Sequence, residues 1–223
     1  MDEKKHVRRE CVIPDHLTEI YDKGCDQLGD FQKEKLKDFL IDFQDVFSKS
    51  PADIGYTDLV KHKINTGDYK PIKQRPYRTP LAKREAAEND IKDMSERGII
   101  EPLISPWCSP IVMMTKKDGS IRFCCDYRKL NDVTVKDCQS LPRINDTLDA
   151  LGGSRWFSSL DMKAGCWQCD LEPQDREKTA FSIPGRGLWQ FRVLCFGLCG
   201  APATFERLVE RILRGLSWKI CMV

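Results

Sequence analysis

An aspartate that closes an apolar run is the residue of this chain with the clearest chemical use. Asp161 follows Trp156-Phe157-Ser158-Ser159-Leu160 and precedes Met162, Lys163, Ala164 and Gly165. A carboxylate at the end of an apolar strand is costly to bury unless it is paired or holds a metal, which makes Asp161 a candidate ligand. The small Ala164 and Gly165 would let a large anionic group, such as a triphosphate, come close to the backbone. The spacing alone fits an exposed turn at a strand end equally well. Two-metal phosphoryl or nucleotidyl transfer gathers at least two carboxylates around ions about 3.5–4 Å apart. None of Asp170, Glu172, Asp175, Glu177, Glu206 or Glu210 is an evident second ligand, and the last two are placed on the polar side of a helix.

Cations form the next set. Arg122 with Lys116 and Lys117 lies on a short hairpin, where Arg offers forked hydrogen bonds to phosphate and Lys a point charge; a solvated hairpin would carry the same residues. Lys70, Lys73, Arg75, Arg78, Lys83 and Arg84, with Tyr69 and Tyr77 among them, make a basic and aromatic run of the kind that tracks a nucleic-acid backbone. Cys166, Cys169, Cys195 and Cys199 could close a zinc site, but their spacing is loose and free core thiols are the simpler reading. His6, His16 and His62 are scattered, and no Ser-His-Asp set or Walker-type loop is present.

These groups must be positioned by a mixed set of elements. Asp30 caps a helix over about 31–48, with Leu36, Phe39, Leu40, Phe43, Val46 and Phe47 at helical spacing until Ser50-Pro51. Lys33 stands where a capping box would want Glu or Gln. Residues 51–80, rich in Pro and Gly, read as an extended connector, with Lys61-His62-Lys63-Ile64 alternating like a short strand. A second helix has Thr79 as N-cap, Pro80 in its first turn, Ala87, Ile91 and Met94 on one face, and Gly98 past its end. Ile111–Met114, the Lys117-Asp118-Gly119 turn and Ile121–Asp126 predict a β-hairpin with Ile121, Phe123 and Cys125 on one face and Arg122 and Asp126 on the other. A short helix follows over Leu141–Leu151, then a strand over Trp156–Leu160. The last helix starts near Pro202, buries Phe205, Leu208, Val209 and Ile212, and ends at Gly215, before an apolar strand over Trp218–Val223.

The chain of 223 residues can bury a sizeable core. A net charge of +2 does not by itself argue for nucleic acid, and 11 cysteines without a signal peptide point to reduced thiols in an intracellular protein. No apolar run approaches the roughly 18–20 residues that span a bilayer, so no membrane partner is expected.

Several stretches together resemble the reverse transcriptase of gypsy-type long-terminal-repeat retrotransposons. They are Ser109-Pro110-Ile111-Val112, Lys116-Lys117-Asp118-Gly119, Arg122 through Asn131, Phe157-Ser158-Ser159-Leu160-Asp161, Lys178-Thr179-Ala180-Phe181, and Phe196-Gly197-Leu198 through Phe205. The likeness covers about residues 60–223. It implies an α+β right-hand polymerase: fingers and a partial palm with a ferredoxin-like sheet over 61–223, after a protease-to-polymerase connector over 1–60. By that resemblance Asp161 is the first catalytic aspartate and joins the Met162 carbonyl on magnesium, with manganese as the alternative. Ala164 and Gly165 would offer amides to the triphosphate, Arg122 with Lys116 or Lys117 would grip it, and Phe196 and Gly197 would line the nucleotide pocket. Cys166 stands where the family has an aromatic against the sugar, which implies weaker exclusion of ribonucleotides. Cys195 replaces a usual Pro and Gly200 a usual Asn, as in a decaying copy. The family's Tyr-x-Asp-Asp turn is expected directly after Val223, so the fragment as written is expected to lack templated synthesis. The implied partners are an RNA or DNA template-primer and deoxynucleoside triphosphates, with protease, ribonuclease H and integrase domains in the full polyprotein. The implied location is cytoplasmic, in a virus-like particle for an active element, with the nucleus as the alternative. A host-retained, non-catalytic module that binds nucleic acid or protein is the competing reading.

Overall fold

The structure, a computed structural model, describes residues 12–223 except 51, 79, 141 and 184 and the side chain of Leu81; His6 and the expected cap Thr79 lie outside the described residues. Two compact units divide at Ile54 and Gly55. The first holds α1 (Asp15–Cys25) and α2 (Asp30–Asp42), the latter followed by a 3-10 turn over Gln44–Val46. The cap of α2 is Gly29, one residue earlier than expected, and that shift puts Gln32 rather than Lys33 at the third helical position. Gln32 Oε1 accepts from the Gly29 N–H at 2.9 Å, half of a capping box. Leu40 is 2% exposed, whereas Phe39, Phe43 and Val46 are 51, 49 and 71% exposed, so half of the six-residue apolar stripe faces outward.

The second unit is built on a five-stranded sheet of order β2-β7-β6-β3-β4. Its strands are β2 (Ile100–Pro102), β3 (Ser109–Thr115), β4 (Ile121–Cys125), β6 (Phe181–Ile183) and β7 (Gly187–Phe191). The expected hairpin is β3–β4, antiparallel with Met114 opposite Arg122 and Thr115 opposite Ile121, closed by a turn in which Gly119 has φ +82°. Phe181 ties the hairpin to the sheet, with its ring 5.5 Å from that of Phe123 and 5.3 Å from that of Phe191. The parallel pair β1 (Thr57–His62) and β5 (Cys169–Leu171) forms a separate small sheet. The alternation expected from Lys61 continues past β1, with His62, Ile64 and Thr66 buried and Lys61, Lys63 and Asn65 exposed.

Helix α3 (Leu81–Glu96) buries Ala87, Ile91 and Met94 as its pattern predicts. It ends in a Schellman arrangement: Gly98 N–H donates to Ser95 O at 3.0 Å, Ile99 N–H donates to Met94 O at 2.9 Å, and Gly98 takes φ +67°. Lys83 Nζ, on its first turns, donates to Met113 O and Thr115 Oγ1 at 2.9 and 3.0 Å and so ties α3 to the hairpin. The short α4 (Arg128–Val133) is rooted by buried Leu130 and Tyr127. Tyr127 Oη donates to Thr179 O at 2.8 Å, and Thr179 Oγ1 accepts from the Phe191 N–H at 3.0 Å. Tyr127→Phe orphans that buried carbonyl and should cost about 1–2 kcal/mol, read as a lower urea midpoint with an unchanged slope.

Three expected elements differ. Helix α5 is shorter, Ile144–Ala150, and leaves Ile144 and Leu148 exposed. Trp156–Leu160 is not a strand: Trp156, Phe157 and Leu160 are 69, 62 and 85% exposed, and no described strand pairs with them. A strand exists through its ladder, and apolar, β-prone residues without a neighbour remain irregular. Trp218–Val223 likewise forms a turn with a single Ser217–Cys221 bridge instead of a strand. In α6 (Ala201–Ile212), Leu208 and Val209 are buried and Phe205 is half-buried, but Ile212 is 49% exposed. The same helix corrects the placement of Glu206, which is buried; burial and the neighbouring Glu210 raise its carboxyl above the usual range.

Candidate functional site

Arg122 leaves the hairpin ladder to lie over the Phe196 ring, 5.4 Å from its centroid. Both line a cavity of about 540 Å³ with Lys116 and Gly197, within the range of small-molecule sites. Among the described residues Arg122 makes no ion pair, so a planar cation is held on an aromatic face with its donors uncommitted. That arrangement suits an anion with several oxygens, and Lys116 adds a second positive charge.

The turn that presents Phe196 depends on glycine. Gly197 has φ +95°, and a Cβ there would meet Cys125 O and Tyr127 Cδ2, each at 3.5 Å. Asn131 holds the same turn, Nδ2–H donating to Gly197 O at 2.8 Å and Oδ1 accepting from the Cys199 N–H at 2.9 Å. Asp90 and Asp93 of α3 line the same cavity. Asp93 is paired with Arg97 at 2.8 Å, while burial and then Asp93 raise the Asp90 carboxyl. Asp90 was legible as an acid three residues after Ala87 and four before Met94, on the apolar face of its helix. Asn131 had no such signal, because its role depends on a turn 66 residues away.

Cys195 also lines the cavity, and burial pushes its thiol up to about 12. Ten described cysteines are free, and among the described residues no group of three His, Cys, Asp or Glu side chains could hold a metal ion. The zinc alternative therefore has no geometric support there.

The other sequence-predicted residues are outside the cavity wall. Lys117 is exposed in the hairpin turn. Asp161 and Met162 are exposed in the irregular stretch, and the Met162 carbonyl accepts from the Gly165 N–H at 3.1 Å. Ala164 has φ +48° and leads into a 3-10 turn over Gly165–Gln168. The absent Cβ of Gly165 faces Phe205, whose Cε2 would lie 2.8 Å from it, so packing against α6 already requires the glycine. Cys166 is half-buried, and burial raises its thiol. Gly200, where the resemblance implies Asn, leaves room for His62, whose Cε1 would stand 3.0 Å from an added Cβ. That departure has a packing reason.

The family described as "Reverse transcriptase (RNA-dependent DNA polymerase)" matches residues 114–223, which include Lys116, Arg122, Asn131, Asp161, Phe196 and Gly197. Residues 114–223 belong to the reverse transcriptase family. Around that reverse transcriptase segment, the chain is similar to the Retrovirus-related Pol polyprotein from transposon opus of Drosophila melanogaster, 35% identical over 87% of this chain and 20% of that protein. The polyprotein from transposon gypsy of the same organism is 35% identical over 87% of this chain and 19% of its own length. The Enzymatic polyprotein of Cauliflower mosaic virus (strain Strasbourg) is 32% identical over 85% of this chain and 28% of its length. The chain thus spans about a fifth of the transposon relatives.

The fold resembles that of Prototype Foamy Virus Protease-Reverse Transcriptase, with TM-score 0.77 and 23% identity over 94% of this chain and 28% of that one. A foamy viral protease-reverse transcriptase in complex with an RNA/DNA hybrid aligns with TM-score 0.76 and 21% identity over the same shares. The α+β fingers and partial-palm assignment stands on this likeness. Reverse transcriptases use divalent metal ions. The residues expected to hold such an ion, Asp161 and the Met162 carbonyl, are neighbours on the exposed irregular stretch, where that carbonyl accepts from the Gly165 N–H. No helix among the described residues is long and apolar enough to cross a membrane.

Proposed function

We propose that this segment supplies the nucleotide-gripping part of an RNA-directed DNA polymerase encoded within a retrotransposon polyprotein. The observation that carries the reading is Arg122 lying over Phe196 in the cavity it shares with Lys116 and Gly197. Arg122 and Lys116 bind the phosphates of an incoming deoxynucleoside triphosphate, and Phe196 with Gly197 bounds the space beside them. Asp161 and the Met162 carbonyl would hold magnesium, which would supply charge neutralisation on the phosphates. A nucleic-acid template-primer follows the basic and aromatic run from Tyr69 to Arg84, where Tyr69 is 65% exposed. Free thiols suit a reducing intracellular compartment, and residues 1–60 act as the connector to a protease domain.

Nucleotidyl transfer with two metals needs more carboxylates than Asp161, which the palm of a longer polyprotein such as the gypsy relative would supply. Primer extension tests it. The 223 residues alone should incorporate no nucleotide above the Asp161→Ala control. The same residues joined in frame to the rest of the palm and thumb of the gypsy relative should extend a primer, and Asp161→Ala should abolish that synthesis. Incorporation by the 223 residues above their control, or extension by the joined protein that survives Asp161→Ala, would refute the assignment.

A further inference from the structure

We infer that Asn131 is a positioning residue for the nucleotide grip, acting through the Gly197–Cys199 turn; the inference rests on the nucleotide reading proposed above. Both ends of its amide are spent on that turn, one donating to Gly197 O at 2.8 Å and one accepting from Cys199 N–H at 2.9 Å. An amide is the side chain that can serve a carbonyl and an N–H at once, since a carboxylate only accepts and an apolar group does neither. The residue before the clamped turn is Phe196, on which the Arg122 guanidinium rests.

The other end of the clamp is firm. Asn131 N–H donates to Tyr127 O at 2.8 Å within α4, Leu130 beside it is 2% exposed, and the Tyr127 ring is 1% exposed. Gly197, with φ +95°, has the backbone freedom that lets a turn move, and Phe196 is 53% exposed. Asn131 therefore couples a rigid root to the turn that joins exposed Phe196 to buried Leu198. Losing the clamp frees Phe196, and Arg122 loses the face that orients it.

Asn131→Asp keeps the size of the side chain, removes the donor and sets a carboxylate against the Gly197 carbonyl. In the 223-residue chain, dTTP with magnesium should bind this variant about tenfold more weakly than wild type, the size of one lost hydrogen bond with a repulsion added. Asn131→Ala should fall between the two. On a Phe196→Ala background Asn131→Asp should cost nothing further, because the ring through which it acts is gone. A role in stability alone would give the same loss on both backgrounds, and that result overturns the inference. The Arg122 Nε–Hε proton resonance provides a readout without nucleotide. The Phe196 ring shifts it in the wild type, and Asn131→Asp and Asn131→Ala should remove the shift while near-ultraviolet dichroism stays native. An unchanged resonance in both variants overturns the inference. A wild type that binds no dTTP removes the nucleotide reading, and the resonance then decides the clamp by itself.

Discussion

Arg122→Ala lowers the affinity of the 223-residue chain for a deoxynucleoside triphosphate about 100-fold, the loss expected when a forked, charge-assisted contact to phosphate is removed. The size follows from the setting. The guanidinium is already oriented on Phe196, so little rotamer freedom remains to be lost on binding, and among the described residues no carboxylate competes for it in an ion pair. Arg122→Lys keeps the charge but neither the fork nor the flat contact with the ring, and should recover only part of the loss. Isothermal titration with dTTP at two salt concentrations checks both variants, since a phosphate contact weakens with salt in the wild type and the dependence shrinks once the cation is gone. Equal affinities for wild type and Arg122→Ala would remove Arg122 from the site.

Acid should weaken the second unit through His62. The imidazole is 4% exposed, its Nδ1 lies 2.7 Å from Thr204 Oγ1, and Gly200 closes on its other edge. Burial pushes its pKa down to about 4, against the partial opposition of Asp175, with Arg207 adding to the depression. An unfolded chain protonates this histidine below about 6.5, whereas the folded chain resists until about 4, so proton uptake favours unfolding across that window. The stability is fully present above pH 6.5 and falls by about 3 kcal/mol as the pH approaches 4. Urea unfolding between pH 7.5 and 4.5 measures it. His62→Gln, which cannot titrate, should flatten the part of the slope that carboxylates do not explain; the same slope in wild type and variant would show that His62 is not its source.

The parts of this molecule that were legible from residues are those whose determinants are local. Lys117-Asp118-Gly119 fixes the β3–β4 hairpin, and Gly98 marks the end of α3, because a turn needs particular backbone angles and glycine supplies them. Of the residues read as one nucleotide site, Lys116, Arg122, Phe196 and Gly197 line one cavity, whereas Lys117, Ala164, Gly165 and Cys166 do not. The stretch before Asp161 misled because its apolar residues specify a strand only when a partner strand is present, and among the described residues none pairs with it. Gln32 shows how small a shift matters, since moving the cap of α2 from Asp30 to Gly29 exchanges a lysine for a residue that completes a bond. Asn131 and the pairing of His62 with Gly200 were illegible for another reason: each depends on a backbone brought from far along the chain. Gly200 in particular looks like decay in the sequence and like accommodation of a ring in the fold.

A nucleotide should bind in the cavity beside Arg122 and Phe196. Titrating the isotope-labelled 223-residue chain with dTTP and magnesium and following every assigned backbone amide by heteronuclear correlation locates it. Saturable shifts should group at Lys116, Arg122, Phe196 and Gly197, and the Arg122→Ala chain should lose them. Shifts that do not saturate, or that gather on α5 or on the first unit and persist in Arg122→Ala, would contradict this placement.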